Sequence, residues 1–192
     1  MKNCKNDPQE NPEEELKTNF GINQKKRIIT LFGGINEQVA EGIVSSLLCL
    51  SISNDPIYMY ISTFGGEVTD MLAIYDIMDF VKKSCSIYTI GVGKIMSAGV
   101  LLMSAGTKRH RTAGKNCIFM IHPMSFEPSG TMLKIGNEIQ EAKRMELQCN
   151  KILRKETKIT KEQMSNIYSQ NRNYYFNSQM AKKYGIIDKI LN

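Results

Sequence analysis

Ser97 is the residue of this chain that is best placed to act as a nucleophile. It lies between an apolar run that is typical of a strand and a second apolar run, beginning at Ala98, that is typical of a helix. A serine on such a strand-to-helix turn exposes its hydroxyl, and the free backbone N–H groups of the following helix can stabilise a developing oxyanion. Because serine is also a common helix N-cap, Ser97 indicates acyl transfer only if a base lies beside it.

The chain offers two candidates for that base, His110 and His122. His122 directly follows the apolar run 119–121, at the end of a predicted strand. His110 lies between Arg109 and Arg111, and repulsion from these cations disfavours a role as general base. A histidine at the end of a strand is often only a structural hydrogen-bond partner. These positions alone leave both histidines open as the base of Ser97.

The predicted elements bring these residues to one edge of a sheet. Apolar periodicity and turn residues predict strands at 28–32, 57–62, 86–92, 109–112, 117–121 and 186–190, and helices at 37–50, 67–83, 97–105, 132–155, 161–169 and 179–183. This alternation is typical of an α/β fold, in which repeated βα units form a mainly parallel sheet. Ligands bind at the carboxyl ends of the strands in such sheets, and two of those ends are 63–66 and 93–97.

Glycines near these strand ends suit an oxyanion better than a nucleotide. Gly65 and Gly66 allow positive φ and a close approach of the backbone, so their N–H groups can face an oxyanion or a peptide. An ordinary tight turn would use the same residues. Gly91 and Gly93 precede Lys94, but the upstream glycine and the following hydroxyl residue of a P-loop are missing.

The composition predicts one globular domain. The chain has 192 residues, of which 42% are hydrophobic and 23% charged, enough to build a core. Residues 1–24 are polar, and we expect a flexible arm there, followed by a single domain at 25–192. No apolar run is long enough to span a bilayer and no apolar signal segment is present, so we expect a cytoplasmic protein without a membrane partner.

Charge and cysteine usage disfavour several other classes of protein. The net charge is +6, but the basic residues form small separated groups, so solvated surface is favoured over a nucleic-acid site. The five cysteines are scattered and form no C-x-x-C pair, which argues against disulfides and a zinc site. We expect Cys49, Cys85 and Cys117 to fill the core. We expect neither a metal nor a cofactor.

Taken in order, several motifs resemble the ClpP family, the proteolytic subunits of ATP-dependent Clp proteases. The matching segments are 57–61 before Gly65–Gly66, 73–78, 93–99 around Ser97, 120–123 around His122, and 181–188. The resemblance begins near Arg27 and extends to Leu191. It implies the ClpP/crotonase-like fold, with 132–155 as a long protruding handle helix.

The resemblance implies roles for four residues. Ser97 would be the nucleophile and His122 its general base. The backbone N–H groups of Gly66 and Ala98 would form the oxyanion hole.

Asn173 stands where the resemblance implies the third member of the triad, an aspartate in the family; Asn171 is the alternative position. An amide can orient the imidazole through its carbonyl oxygen, but it cannot stabilise the imidazolium with a full charge. In serine proteases the change from Asp to Asn costs about 10⁴-fold in kcat. We therefore expect slow or conditional activity. The alternative is that Asn173 only caps a turn.

Two hypotheses follow for the function. In the first, the chain is a serine endopeptidase subunit that cleaves unfolded proteins or short peptides through an acyl-enzyme on Ser97. In the second, it is a catalytically weak or silent ring subunit with a structural or regulatory role, because Asn173 replaces the aspartate. An acyl-CoA hydratase of the related crotonase fold is disfavoured, because Ser97 and His122 have no role in that chemistry.

The resemblance also implies partners. The family forms stacked heptameric rings, with handle helices interdigitating between them, so we expect a homo-oligomer. An AAA+ unfoldase would dock in apolar pockets at the positions of Tyr58, Tyr60 and Phe80, for which simple core burial is the alternative. ATP would bind that partner and not this chain.

Overall fold

The computed structural model describes residues 22–23, 25–169 and 172–191. Its strands are β1 (Ile22–Asn23), β2 (Ile28–Ile35), β3 (Ile57–Gly66), β4 (Ile87–Met96), β5 (Arg111–Gly114), β6 (Ile118–Ile121), β7 (Tyr174–Asn177) and β8 (Lys189–Leu191). Its helices are α1 (Glu37–Leu50), α2 (Val68–Val81), α3 (Ala98–Ser104), α4 (Met132–Glu156), α5 (Lys161–Ser169) and α6 (Ser178–Lys183). The predicted N-terminal arm, residues 1–24, lies outside the described residues except for β1.

Local sequence signals account for the helix boundaries. The Asn36 side chain accepts the Val39 N–H at 3.0 Å, and α1 begins at the next residue after this cap. Thr160 and Gln163 exchange hydrogen bonds between side chain and backbone at the start of α5, which is a capping box. Both helices begin and end at the predicted residues.

The sheet is mainly parallel, as predicted. Strands β2, β3, β4, β5 and β8 lie side by side in parallel, and β1 adds an antiparallel edge. The second half of β4 leaves β5 and pairs with β6, also in parallel. Both β3 and β4 run four residues beyond their predicted ends, because register shifts and glycines let the ladder continue.

β7 was not predicted. It pairs antiparallel with β6, and the last bonded pair joins Ile121 to Tyr174. A four-residue segment carries little periodicity of its own, so its strand character depends on a partner far away in the sequence. This pairing matters because β6 ends one residue before His122 and β7 begins one residue after Asn173.

The core lies between the sheet and the helices that cross it. Fully buried aliphatic residues of β2, β3 and β4 pack under α1 and α2, and every residue of α3 is buried. Cys85 and Cys117 are buried, as predicted. The prediction for Cys49 was wrong: its side chain is exposed, because the face of α1 that packs on the core is formed by Ile43, Leu47 and their neighbours.

α4 is the long helix that the sequence predicts, and most of it stands away from the core. Of its 25 residues only Ala142, Leu153 and Glu156 are buried. Met132 and Leu133 at its start are 91% and 78% exposed. Within the described part of the chain, no helix is both long and apolar enough to cross a membrane.

A buried network of charges anchors the C-terminal end of α4. The Arg111 guanidinium binds both carboxylate oxygens of Asp188, at 2.9 and 2.7 Å, and also donates to the backbone oxygen of Glu156 at 2.9 Å. The Glu156 carboxylate, only 4% exposed, accepts from Lys108 at 2.7 Å and from the Tyr75 hydroxyl at 3.0 Å. The network ties β5, α2, α4 and the segment before β8 together.

Candidate active site

Ser97 and His122 lie in direct contact. The Ser97 hydroxyl and His122 Nε2 are 2.8 Å apart, which is a hydrogen bond. The parallel pairing of β4 with β6 positions them, since Met96 lies opposite Met120 and the Ser97 N–H donates to the Met120 oxygen at 2.8 Å. Each side chain therefore leaves the carboxyl end of one of two neighbouring strands.

The backbone at Ser97 is held in a conformation that residues with a side chain rarely adopt. Its φ of 53° and ψ of −124° lie outside the usual regions, at a cost of about 1–3 kcal/mol. The turn connects β4 to α3, and the Ser97 oxygen accepts the Val100 N–H at 2.9 Å. Such strain is typical of a nucleophile turn, because it presents the hydroxyl above the sheet.

The Gly65–Gly66 turn packs against the candidate nucleophile. Both glycines have positive φ, 101° and 154°, and a Cβ built on Gly65 would lie 2.6 Å from the Ser97 Cβ. Gly66, Ala98, Ser97 and His122 line the same cavity. The two residues that the resemblance assigns to the oxyanion hole thus line the same cavity as Ser97 and His122.

Gly66→Ala is expected to slow acylation of Ser97 by at least about 10²-fold, the typical effect of losing one donor of an oxyanion hole. A Cβ at this position would lie 2.0 Å from the Ile35 oxygen, a backbone atom that cannot turn aside, so the turn must move. The measurement is the rate of labelling by a serine-directed fluorophosphonate. Gly34→Ala is the matched control, since a Cβ there meets nothing within 4 Å. Labelling of Gly66→Ala at the rate of the control would contradict the prediction.

Asn173 lies next to His122 in the register of the sheet, but its side chain has another partner. The residues beyond the Ile121–Tyr174 pair are His122 and Asn173. The Asn173 amide is exposed and donates to the Tyr175 hydroxyl at 3.3 Å. Within the described residues, the hydrogen bond of His122 is the one to Ser97. Asn171, the alternative third member, lies outside the described residues.

The other histidine is remote from this cavity. The exposed His110 ring stacks on Tyr88, with ring centroids 4.0 Å apart, and Tyr88 meets Tyr58 edge to face.

Of the three residues assigned to a partner pocket, Tyr58 is 37% and Phe80 57% exposed, whereas Tyr60 is partly buried. Core burial, the alternative interpretation, therefore does not describe Tyr58 or Phe80.

Sequence reasoning missed the residues that close the cavity from the far side. Glu146 and Asn150 of α4 and Tyr168 of α5 line the cavity that contains Ser97. The Tyr168 hydroxyl donates to the Asn150 side-chain oxygen at 2.8 Å. For Glu146 and Asn150, the only signal in the sequence was a polar residue directly after an apolar one, Met145 and Cys149, in the predicted long helix. No group of three metal-ligating side chains occurs among the described residues.

Comparison with known families agrees with this geometry. The family model described as Clp protease matches residues 11–192. The chain belongs to the Clp protease family. The match covers the Ser97 turn, His122, the handle helix α4 and Asn173, and it begins upstream of Arg27, where the resemblance of the motifs starts. The Clp protease fold and the recognition of the family from its motifs are thereby confirmed.

Proposed function

We propose that this Clp protease family member is a serine endopeptidase subunit of a chambered protease, acting on unfolded proteins or short peptides. The observation that carries the proposal is the 2.8 Å hydrogen bond between the Ser97 hydroxyl and His122 Nε2 on a strained strand-to-helix turn. A serine hydroxyl becomes a useful nucleophile only when a base can take its proton, and this contact supplies the base.

In the proposed reaction, Ser97 Oγ attacks the carbonyl carbon of the scissile peptide while His122 Nε2 takes the hydroxyl proton. The backbone N–H groups of Gly66 and Ala98 stabilise the oxyanion of the tetrahedral intermediate. His122 then gives its proton to the leaving amine, and an acyl-enzyme remains on Ser97. Water, activated by the same imidazole, releases the acyl group and restores the enzyme.

The proposal includes an assembly of stacked heptameric rings in the cytoplasm, with Asn173 as the third residue of the site. The exposed apolar residues of α4, among them Met132, Leu133 and Leu147, support an oligomer because water otherwise covers them. The exposed rings of Tyr58 and Phe80 support docking of an AAA+ unfoldase. No metal or cofactor takes part in the proposed chemistry.

The test is the intact mass of the protein after incubation with a serine-directed fluorophosphonate. We expect one adduct per chain on the wild type and none on Ser97→Ala, because the reagent reacts only with a serine whose proton a base removes. His122→Ala is also expected to remain unlabelled. An adduct on Ser97→Ala would place the reactive serine elsewhere and overturn the proposal.

A second candidate is a catalytically silent ring subunit with a structural or regulatory role. The observation that favours it is the Asn173 amide, which donates to Tyr175, so that no carboxylate of the described residues is hydrogen-bonded to His122. Absence of any adduct on the assembled wild type, with oligomerisation intact by sedimentation, would support this candidate over the peptidase.

A further inference from the structure

The cavity beside Ser97 carries a carboxylate that the proposed reaction does not use. The cavity has a volume of about 120 Å³. Its walls are apolar near Val68, Met71 and Leu101, and Glu146 of α4 lines it together with Ser97. A side chain next to the scissile bond of a peptide bound at Ser97 would enter this space.

Glu146 has no cationic partner in the described part of the chain. One of its oxygens accepts the Met124 N–H at 3.1 Å, and no lysine, arginine or histidine forms an ion pair with it there. The cavity lining contains no lysine or arginine. A carboxylate without a counter-charge at the wall of a cavity offers a charged acceptor to a cation that enters it.

The negative charge of Glu146 affects two other side chains that line the cavity, Cys149 and Tyr168. Burial, followed by the negative charge of Glu146, raises the pKa of the Cys149 thiol to about 11. The same two causes, in the same order, raise the pKa of the Tyr168 hydroxyl. Both groups line the cavity, so the negative charge of Glu146 acts on groups within it.

We propose that Glu146 makes this cavity a specificity pocket for lysine at the residue whose carbonyl Ser97 attacks. The inference rests on the proposed function for the position of the substrate. The methylene stem of lysine would pack on Val68, Met71 and Leu101, and its ammonium would bind the free oxygen of Glu146. A cavity of ~150 Å³ accepts benzene, and the lysine side chain has one non-hydrogen atom fewer, so its size suits this cavity.

The first experiment measures binding, so that it does not depend on catalysis. Acetylated product tripeptides that end in lysine or in norleucine, which replaces the ammonium by a methyl group, are titrated by calorimetry into the full-length protein. We expect the lysine peptide to bind roughly tenfold tighter to the wild type, the effect of one charge-assisted hydrogen bond. In Glu146→Gln, which keeps the acceptor for the Met124 N–H, the preference is expected to disappear.

Glu138→Gln is the matched control, because it removes a charge from the same helix in an exposed pair with Lys134. It should retain the preference for lysine. Equal or tighter binding of norleucine to the wild type, no binding of the lysine peptide, or an unchanged preference in Glu146→Gln would each overturn the inference.

The same variants separate this inference from the proposed function. Fluorophosphonate labelling of Ser97 is measured on the wild type and on Glu138→Gln, whose exposed side chain does not line the cavity, and the two rates are expected to be equal. If Ser97 is labelled but the lysine peptide is not preferred, the specificity pocket is contradicted and the peptidase is not. If the lysine peptide is preferred but Ser97 is not labelled, the peptidase is contradicted and the specificity pocket is not.

Discussion

Asn173→Asp is expected to raise kcat/KM for a short fluorogenic peptide by up to about 10⁴-fold, since the reverse change costs that much in serine proteases. The carboxylate would hold the imidazole in the correct tautomer and stabilise the imidazolium that forms when Ser97 loses its proton. The antiparallel register of β6 and β7 supports the reach of this side chain, because His122 and Asn173 follow the Ile121–Tyr174 pair directly. Aspartate has nearly the same size as asparagine, so the fold should tolerate it.

The control for this gain is Asn177→Asp, which adds the same charge at the other end of β7, opposite Ile118. Asn177 caps α6 by accepting the Met180 N–H, a role that aspartate also fills. The Asn177→Asp variant should leave kcat/KM unchanged. Because the Tyr175 hydroxyl could hold the new carboxylate away from His122, the double variant with Tyr175→Phe is measured as well. If neither single nor double variant exceeds the control, residue 173 is not the third member of the site.

The second large effect is on the stability of the fold, and it comes from Arg111, which does not line the cavity. Arg111→Ala is expected to reduce the free energy of unfolding by about 3 kcal/mol, because it leaves a partly buried Asp188 and the backbone oxygens of Ser104 and Glu156 without their donor. Urea unfolding monitored by circular dichroism measures the change. Arg144→Ala is the matched control, since Arg144 forms an equally short pair with Glu141 that is exposed to water. Similar losses in the two variants would contradict the role of the buried network.

The same network predicts how stability responds to acid. Burial alone would raise the pKa of Asp188, but its hydrogen bonds with Arg111 outweigh burial and lower the pKa below the ordinary value of 3.8. Asp188 therefore contributes stability above that value, and the contribution is lost as the pH falls through the lowered pKa. The pKa of Glu156 is lowered as well, because its hydrogen bond and charge interaction with Lys108 help to outweigh the effect of burial. Wild-type stability should fall below about pH 4 more steeply than that of Arg111→Ala.

The sequence by itself determined the residues of the candidate site and most of the elements that position them. Ser97 was identified from a strand-to-helix turn, which is a local feature, and two histidines left little choice of base. The boundaries of α1 and α5 followed from caps within one turn of the helix. Such signals are readable because they depend on residues three or four positions apart.

Only the tertiary structure decided what lies beyond these local patterns. It placed Asn173 beside His122 through the β6–β7 pairing, brought Glu146 of the handle helix into the Ser97 cavity, and left Cys49 in water. It also joined Arg111 to Asp188 across 77 residues of sequence. Each of these contacts joins segments that are far apart along the chain, so no spacing in the sequence records them. The candidate nucleophile was therefore local information, whereas the residue that lies beside His122 in the sheet and the carboxylate in the Ser97 cavity depended on how the chain folds back.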